Sequence, residues 1–546
     1  MVPNCLKSSK RAKKHTDQKF KCNWIFSQNI YNWRAYNEKN KALNFKKVNK
    51  DKWQVDCKNE EEIIISYSFY ANQLDAGSCY LDEKQLYINP VHCIFYITDR
   101  INDKYEITFD IPQDYIIASS LEKSKNLLKG NSFDEIAESP IICSNTIKHD
   151  IYTVNKINFN LWFQGPCNIN WNKIKTDFIA FTQTQINHFD SFPVNEYHFF
   201  FQITPYTSYH GVEHTKNTVI LLGPGSEIMK EKYNSLLHIS SHELYHTWNI
   251  KAIRPKEMFP YDYTKENYFR TGYVAEGVTT YMGDLMLHKA KVTSWEEFKK
   301  TQNQNLERHL MNYGRLNLSV ADSGFDSWLD GYKLGSPNRK VSIYADGALC
   351  MLMIDLEIIK KSNGKESLSS VMNKLYTDYA LNKKGYSEDD FINICEFYGG
   401  KGVKKIFKDH VYGTKNYIPT LNEKLDYVGL KLEEKDNPNL SARFFGILGL
   451  YQEKKIIIKK VEPNSEADKM GIAPEDEIIK INNQIIDNTF NETLRNCKEE
   501  VLVSLKKKFS EKDLRLKIGN YFVLNEINIQ DNKNDEQIRN FNAWLS

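Results

Sequence analysis

The sequence predicts a multidomain α+β protein: an antiparallel β domain near the N-terminus, a mainly helical central region and a β-rich module near the C-terminus. Three observations carry this. At 546 residues the chain has room for about three or four domains. Its apolar periodicity changes twice along the chain, from alternating to helical and back. Tyr and Phe are abundant, at 32 and 29 residues, a balance that suits strand-rich domains with aromatic packing.

Residues 1–58 read as a basic tail and lead-in segment. The opening stretch, MVPNCLKSSKRAKKHTDQKF, has no apolar core, so it is not expected to be a secretory signal and reads as a solvated, disordered arm. From 59 to 170 the runs EEIIISYSFYA, KQLYINP, HCIFYITD, KYEITFDIP, DYIIAS and KINFNLWFQG alternate or are β-branched and aromatic. Pro, Gly, Asn and Asp punctuate them, and a sandwich-like antiparallel domain is expected. From 171 to 412 the period lengthens. WNKIKTDFIAFTQTQINHF places Ile174, Phe178, Phe181 and Ile186 near one helical face, YHFFFQITP and TVILLG read as buried strands, and helical segments dominate afterwards. A connection rich in Gly, Pro and charge leads to a compact β module over 425–525.

Composition excludes several roles. The formal charge is +3, which makes no electrostatic case for nucleic acid. No apolar run approaches the ~18 residues of a membrane span; the best candidate, ALCMLMIDL, is broken by Asp355. A cytoplasmic protein is therefore expected. The ten cysteines form no CxxC pair, so free thiols are expected and any metal belongs to other ligands.

Those ligands stand in LLHISSHELYHTWNI. On a helix, His242 and His246 are i, i+4 neighbours, so both imidazoles leave one face a turn apart. That spacing suits two nitrogen ligands on one Zn2+, and Glu243 lies where a general base for a water would sit. Leu237, Leu244 and Trp248 give an apolar stripe, so the helix should be buried, where paired His and Glu side chains need partners. A surface helix with ordinary polar residues is the plain alternative. A third ligand must come from downstream, among Glu257, Asp262, Glu266 and Glu276. Glu266 sits in the polar, loop-like YTKENYFR. Glu276 opens an apolar helix with Thr280 and Asp284 on one face, Asp284 being a candidate acceptor for a histidine N–H. This favours Glu276 without closing the choice. A strand-containing lobe meeting a helical lobe across the metal helix is a thermolysin-like arrangement.

The stretch SHELYHTWNIKAIRPKEMFPYDYTKENYFRTGYVAEGVTTYMGDL resembles the glycyl aminopeptidase family of zinc metallopeptidases, which belongs to the glutamate zincins. NYGRLNLSVADSGFDSWLDGY and VSIYADGALCMLMIDL are also similar to that family, and the likeness runs from about residue 62 to about 490. The resemblance implies Zn2+ held by His242, His246 and Glu276, with Glu243 as general base. It implies that the Gly-x-Glu-His segment of HGVEH, with Gly211 and Glu213, faces the active site from a strand edge and that Glu213 binds the substrate's free α-amine. It assigns Tyr344 to the oxyanion, although Asp346 stands where the family more often has Lys. The C-terminal module resembles a PDZ domain, through GILGL at 446–450 and more closely NSEADKMGIAPEDEIIKINNQII. The implied activity is removal of small N-terminal residues such as Gly or Ala from peptides or proteins with free N-termini. Peptide C-termini are possible ligands of the PDZ-like module. An endopeptidase on the same zinc machinery and a catalytically silent PDZ scaffold are the alternatives.

Overall fold

The computed structural model describes residues 5–13, 18–21, 26–58, 60–331, 335–487, 490–497 and 499–546. The basic N-terminal stretch is not a free arm. Strand β1 (Cys5–Lys13) runs antiparallel along β3 (Glu62–Tyr70), from Cys5↔Tyr70 to Lys13↔Glu62, while β2 (Ile30–Asn37) pairs the other edge of β3. Ile63, Ile65, Tyr67 and Phe69 of β3 are buried, so the strand is fixed in place. An uncovered edge would leave its backbone groups without partners. Trp33 and Trp53 stack at 5.8 Å, and Phe95 meets Trp53 edge-on at 5.2 Å, closing this layer. The β domain therefore begins well before residue 59. It ends with a short helix, α1 (Phe133–Ala137), capped by Ser132, and a strand at Ile141–Ser144.

The next two strands precede the boundary drawn at 170 yet belong to the sheet that follows it. β4 (Lys148–Val154) and β5 (Ile157–Gln164) join β6 (Glu196–Ile203), β8 (Asn217–Gly223) and β7 (Ser208–Glu213) in one sheet of order β4-β5-β6-β8-β7. β5, β6 and β8 run parallel, and β4 and β7 are antiparallel edges. Strands buried on both faces explain the unbroken run HFFFQI. The crossover from β5 to β6 is α2 (Trp171–Phe189), capped by Asn170; its Ile174, Phe178, Phe181 and Ile186 are all buried, as their spacing predicts.

The metal helix, α3 (Tyr233–Tyr245), follows β8, and α4 (Thr279–Lys289), α5 (Trp295–Leu310) and α6 (Ala345–Ser362) build the helical lobe around it. Sheet and helices share one continuous core, in which Phe178, Phe199 and Leu244 meet Met282 and Leu352. Among the described residues no helix is long and apolar enough to cross a membrane.

The PDZ-like module stands on a stem. β9 (Leu430–Lys435) pairs antiparallel with β15 (Leu524–Ile529), and the module's sheet, ordered β10-β11-β12-β13-β14, lies between them in sequence. Those strands are β10 (Ile447–Gln452), β11 (Lys455–Val461), β12 (Glu477–Ile481), β13 (Glu500–Lys506) and β14 (Glu511–Lys517). They enclose a separate apolar cluster. The chain then returns to the helical lobe as α7 (Asp535–Leu545), a segment the sequence left unassigned.

Candidate active site

His242 and His246 project from α3 with their Nε2 atoms 3.0 Å apart, and Glu276 Oε2 lies 3.4 and 3.3 Å from them. These are the ligand atoms of the cluster of potential metal ligands found among the described residues; Glu266 is not part of it. The His246 Nδ1 donates to the Asn249 carbonyl at 3.0 Å, which leaves Nε2 with its lone pair toward the cluster. The buried Glu276 Oε2 meets no well-aligned hydrogen-bond donor. Two imidazole nitrogens and one carboxylate oxygen, converging and otherwise unsatisfied, fit a zinc ion.

Glu276 lies in a π-helical turn, Tyr273–Val278, that leads into α4. Such turns concentrate at functional sites, because the extra residue re-aims one side chain. Asn249 fixes the turn in place: its Nδ2 donates to the carbonyls of Val274 (2.9 Å) and Ala275 (3.2 Å) and to Thr279 Oγ1 (2.9 Å). Asn249 thus joins the loop after the second histidine to the segment bearing Glu276. Sequence reasoning saw it only as the last letter of HTWN. Asp284 does not serve a ligand histidine. It pairs with His238, one turn before His242, at 2.6 Å, because α4 lies against that end of α3; the acceptor for His246 is the Asn249 carbonyl instead.

Glu243 is buried against the edge strand. Thr218 Oγ1 donates to its Oε2 at 3.2 Å, and a Cβ on Gly211 would lie 2.1 Å from its Oε1. Gly211 thus leaves the space on β7 that the Glu243 carboxylate occupies. Burial pushes the Glu243 carboxyl up to about 8. Glu213 and Glu276 add to the rise, while His246 and the Thr218 hydrogen bond oppose it. A raised carboxyl suits a base that must accept and return a proton near neutral pH. Gly211 and Glu213 share one face of β7, and His210 and Val212 share the other. Glu213 thus lies on the same face of β7 as Gly211, the face that meets Glu243. On the opposite face, His210 Nδ1 meets Asp75 of the N-terminal domain at 2.6 Å.

Tyr344 is the N-cap residue of α6, and its ring centroid lies 6.2 Å from that of His242. Asp346, the departure from the family's usual Lys, is turned into the fold. It accepts from His309 Nδ1 at 2.6 Å and from the Ser342 N–H at 3.2 Å, and both it and His309 are 1% exposed. It braces the turn carrying Tyr344. In the C-terminal module, GILGL is more strand than loop. Gly446 closes a short helix, Leu440–Phe445, at φ +74°, and β10 begins at Ile447 as a sheet edge that, among the described residues, pairs with β11 alone.

Residues 235–350 match the family model described as M61 glycyl aminopeptidase, residues 25–145 that of the Peptidase M61 N-terminal domain, and residues 420–518 that of the PDZ domain. A solved structure of an aminopeptidase N family protein from Idiomarina loihiensis has the same fold. The TM-score is 0.90 at 22% identity, over 100% of this chain and 98% of that one. A solved M1 zinc metallopeptidase from Deinococcus radiodurans matches at a TM-score of 0.46 and 11% identity, over 76% of this chain and 92% of that one. No curated protein matches the sequence.

Proposed function

As a metallopeptidase of the M61 glycyl aminopeptidase family with an added PDZ domain, the chain supplies a frame in which we propose a zinc aminopeptidase that removes small residues such as Gly or Ala from free N-termini. The observation that carries this reading is the row of Gly211 and Glu213 on one strand face, beside Glu243 and the His242, His246 and Glu276 cluster. A carboxylate at Glu213 pairs with a substrate ammonium and limits how far the chain end enters, which makes the site an exopeptidase. His242, His246 and Glu276 would hold the metal. A zinc ion held there would supply Lewis acidity to the scissile carbonyl and would acidify the attacking water. Glu243 takes the water's proton and delivers it to the leaving amine. The Tyr344 hydroxyl donates a hydrogen bond to the oxygen on which negative charge develops. The exposed edge of β10 supports a second role, capture of a peptide C-terminus as an added strand.

The test is hydrolysis of Gly- and Ala-arylamides by the purified, zinc-loaded protein. Glu243→Gln is expected to abolish turnover while zinc stays bound, and full activity in that variant would overturn the mechanism. N-acetylated peptides separate this reading from an endopeptidase, because only the exopeptidase requires the free amine.

A further inference from the structure

Glu138, at the C-terminal end of α1, belongs to the N-terminal domain, yet its side chain contacts the catalytic domain at two places. Its Oε2 accepts from the Thr215 N–H at 2.9 Å and from Thr215 Oγ1 at 3.2 Å. Lys251 Nζ reaches both carboxylate oxygens, at 3.0 and 2.8 Å. The Glu138 carbonyl accepts from Asn217 Nδ2 at 3.0 Å, so the β7–β8 turn is held by backbone as well as side chain. The pair is sheltered, at 18% and 13% side-chain exposure. The attraction within an ion pair so placed is less screened by water than that of a solvated one.

The two contacts fall at informative positions. Thr215 stands two residues beyond Glu213, in the turn that ends β7. Lys251 lies in the loop after α3, and its N–H donates to the carbonyl of the metal-ligand candidate His246 at 3.1 Å. One carboxylate therefore ties the end of the amine-anchoring strand to the end of the metal-binding helix. We propose that Glu138 is a positioning residue for substrate recognition: through Thr215 and Lys251 it sets the spacing between Glu213 and the metal cluster, so the N-terminal domain fixes the register of the substrate's amino end. This rests on the reading of Glu213 as the amine anchor.

The experiment measures binding of Ala-Ala-Ala and its N-acetyl form to full-length, zinc-loaded Glu243→Gln protein, which binds without turnover. The ratio of the two Kd values reports recognition of the free amine. Adding Glu213→Gln is expected to remove the preference for the free amine. Adding Glu138→Gln is expected to reduce it by roughly tenfold, because small misplacements in a site have large effects. The triple variant should lose no more than the Glu213→Gln background. Lys251→Met, which leaves the Thr215 bonds in place, should act in the same direction and serves if Glu138→Gln does not fold. Loss of preference in Glu213→Gln with full preference in both Glu138→Gln and Lys251→Met overturns the positioning role and leaves the anchor standing. Equal weakening of both peptides by Glu138→Gln marks a general structural role and also overturns it. Full preference in Glu213→Gln overturns the anchor reading itself.

Discussion

Glu243 owes its position to a missing side chain. With a Cβ on Gly211 only 2.1 Å from Glu243 Oε1, Gly211→Ala must displace the carboxylate or the strand. A shift of that order is expected to lower kcat by ~10²-fold, with zinc content unchanged by metal analysis. Thr218 gives a finer test. Its single hydroxyl proton is shared between the Val212 carbonyl at 3.0 Å and the Glu243 carboxylate at 3.2 Å, and the share given to Glu243 favours the ionised form of a carboxyl that burial has raised to about 8. Thr218→Val removes that bond and raises the carboxyl further. In its proposed role Glu243 must be ionised, so the acid limb of the kcat/KM profile should move to higher pH. Of these residues, His242, Glu243 and His246 were legible from five letters, because helical spacing alone puts both imidazoles on one face. Gly211 and Glu213 were not. Their strand meets α3 through long-range pairing, and only a family resemblance pointed to them. Thr218 gave no signal at all, since its role exists only where β8 lies beside Glu243.

Between elements, the decisive contact is one without side chains. A Cβ on Gly277 would lie 2.7 Å from the backbone of Gly347, and one on Gly347 would lie 2.8 Å from Gly277 Cα. The π-helical turn bearing Glu276 thus crosses the first turn of α6, which Tyr344 caps, at backbone distance. Gly277→Ala forces the two apart and is expected to destabilise the fold by roughly 1–3 kcal/mol. It should also speed zinc loss to a chelator, followed as the rate of inactivation. The sequence marked this segment as an apolar helix opening on Glu276. It could not show the π geometry, because one inserted residue barely alters an apolar pattern. The same limit applies to β1: a lysine-rich stretch reads as solvated until the edge of β3 is there to bond it.

Over the whole molecule, the chain closes on itself. The PDZ module is carried on the β9–β15 stem, and α7 then returns Trp544 to the helical lobe, where it is 2% exposed. Trp544 Nε1 donates to the Tyr281 hydroxyl at 2.6 Å, and that hydroxyl donates to Asp355 Oδ2 at 2.5 Å. Burial raises the Asp355 carboxyl, and its bonds from the Leu368 N–H and Tyr281 oppose the rise. Trp544→Ala leaves a cavity beside α4 and removes the bond that the Tyr281 hydroxyl accepts, with an expected loss of about 3–5 kcal/mol. A lowered Tm of the catalytic domain, with the module's own fold intact by NMR, would check it. Asp355 was visible in the sequence only as the charge interrupting an apolar run. By itself the sequence determined the domain classes and the helix that sets His242 and His246 one turn apart beside Glu243, because periodicity and i, i+4 spacing act over a few residues and need no partner. The tertiary structure decided where the β domain begins, which helix receives the C-terminus, what Asp346 and Asp284 bond, and how Glu138 reaches the active-site strand. Each of those is a contact between segments far apart in the chain, and burial, sheet-edge pairing and backbone approach select it only once the whole chain has folded.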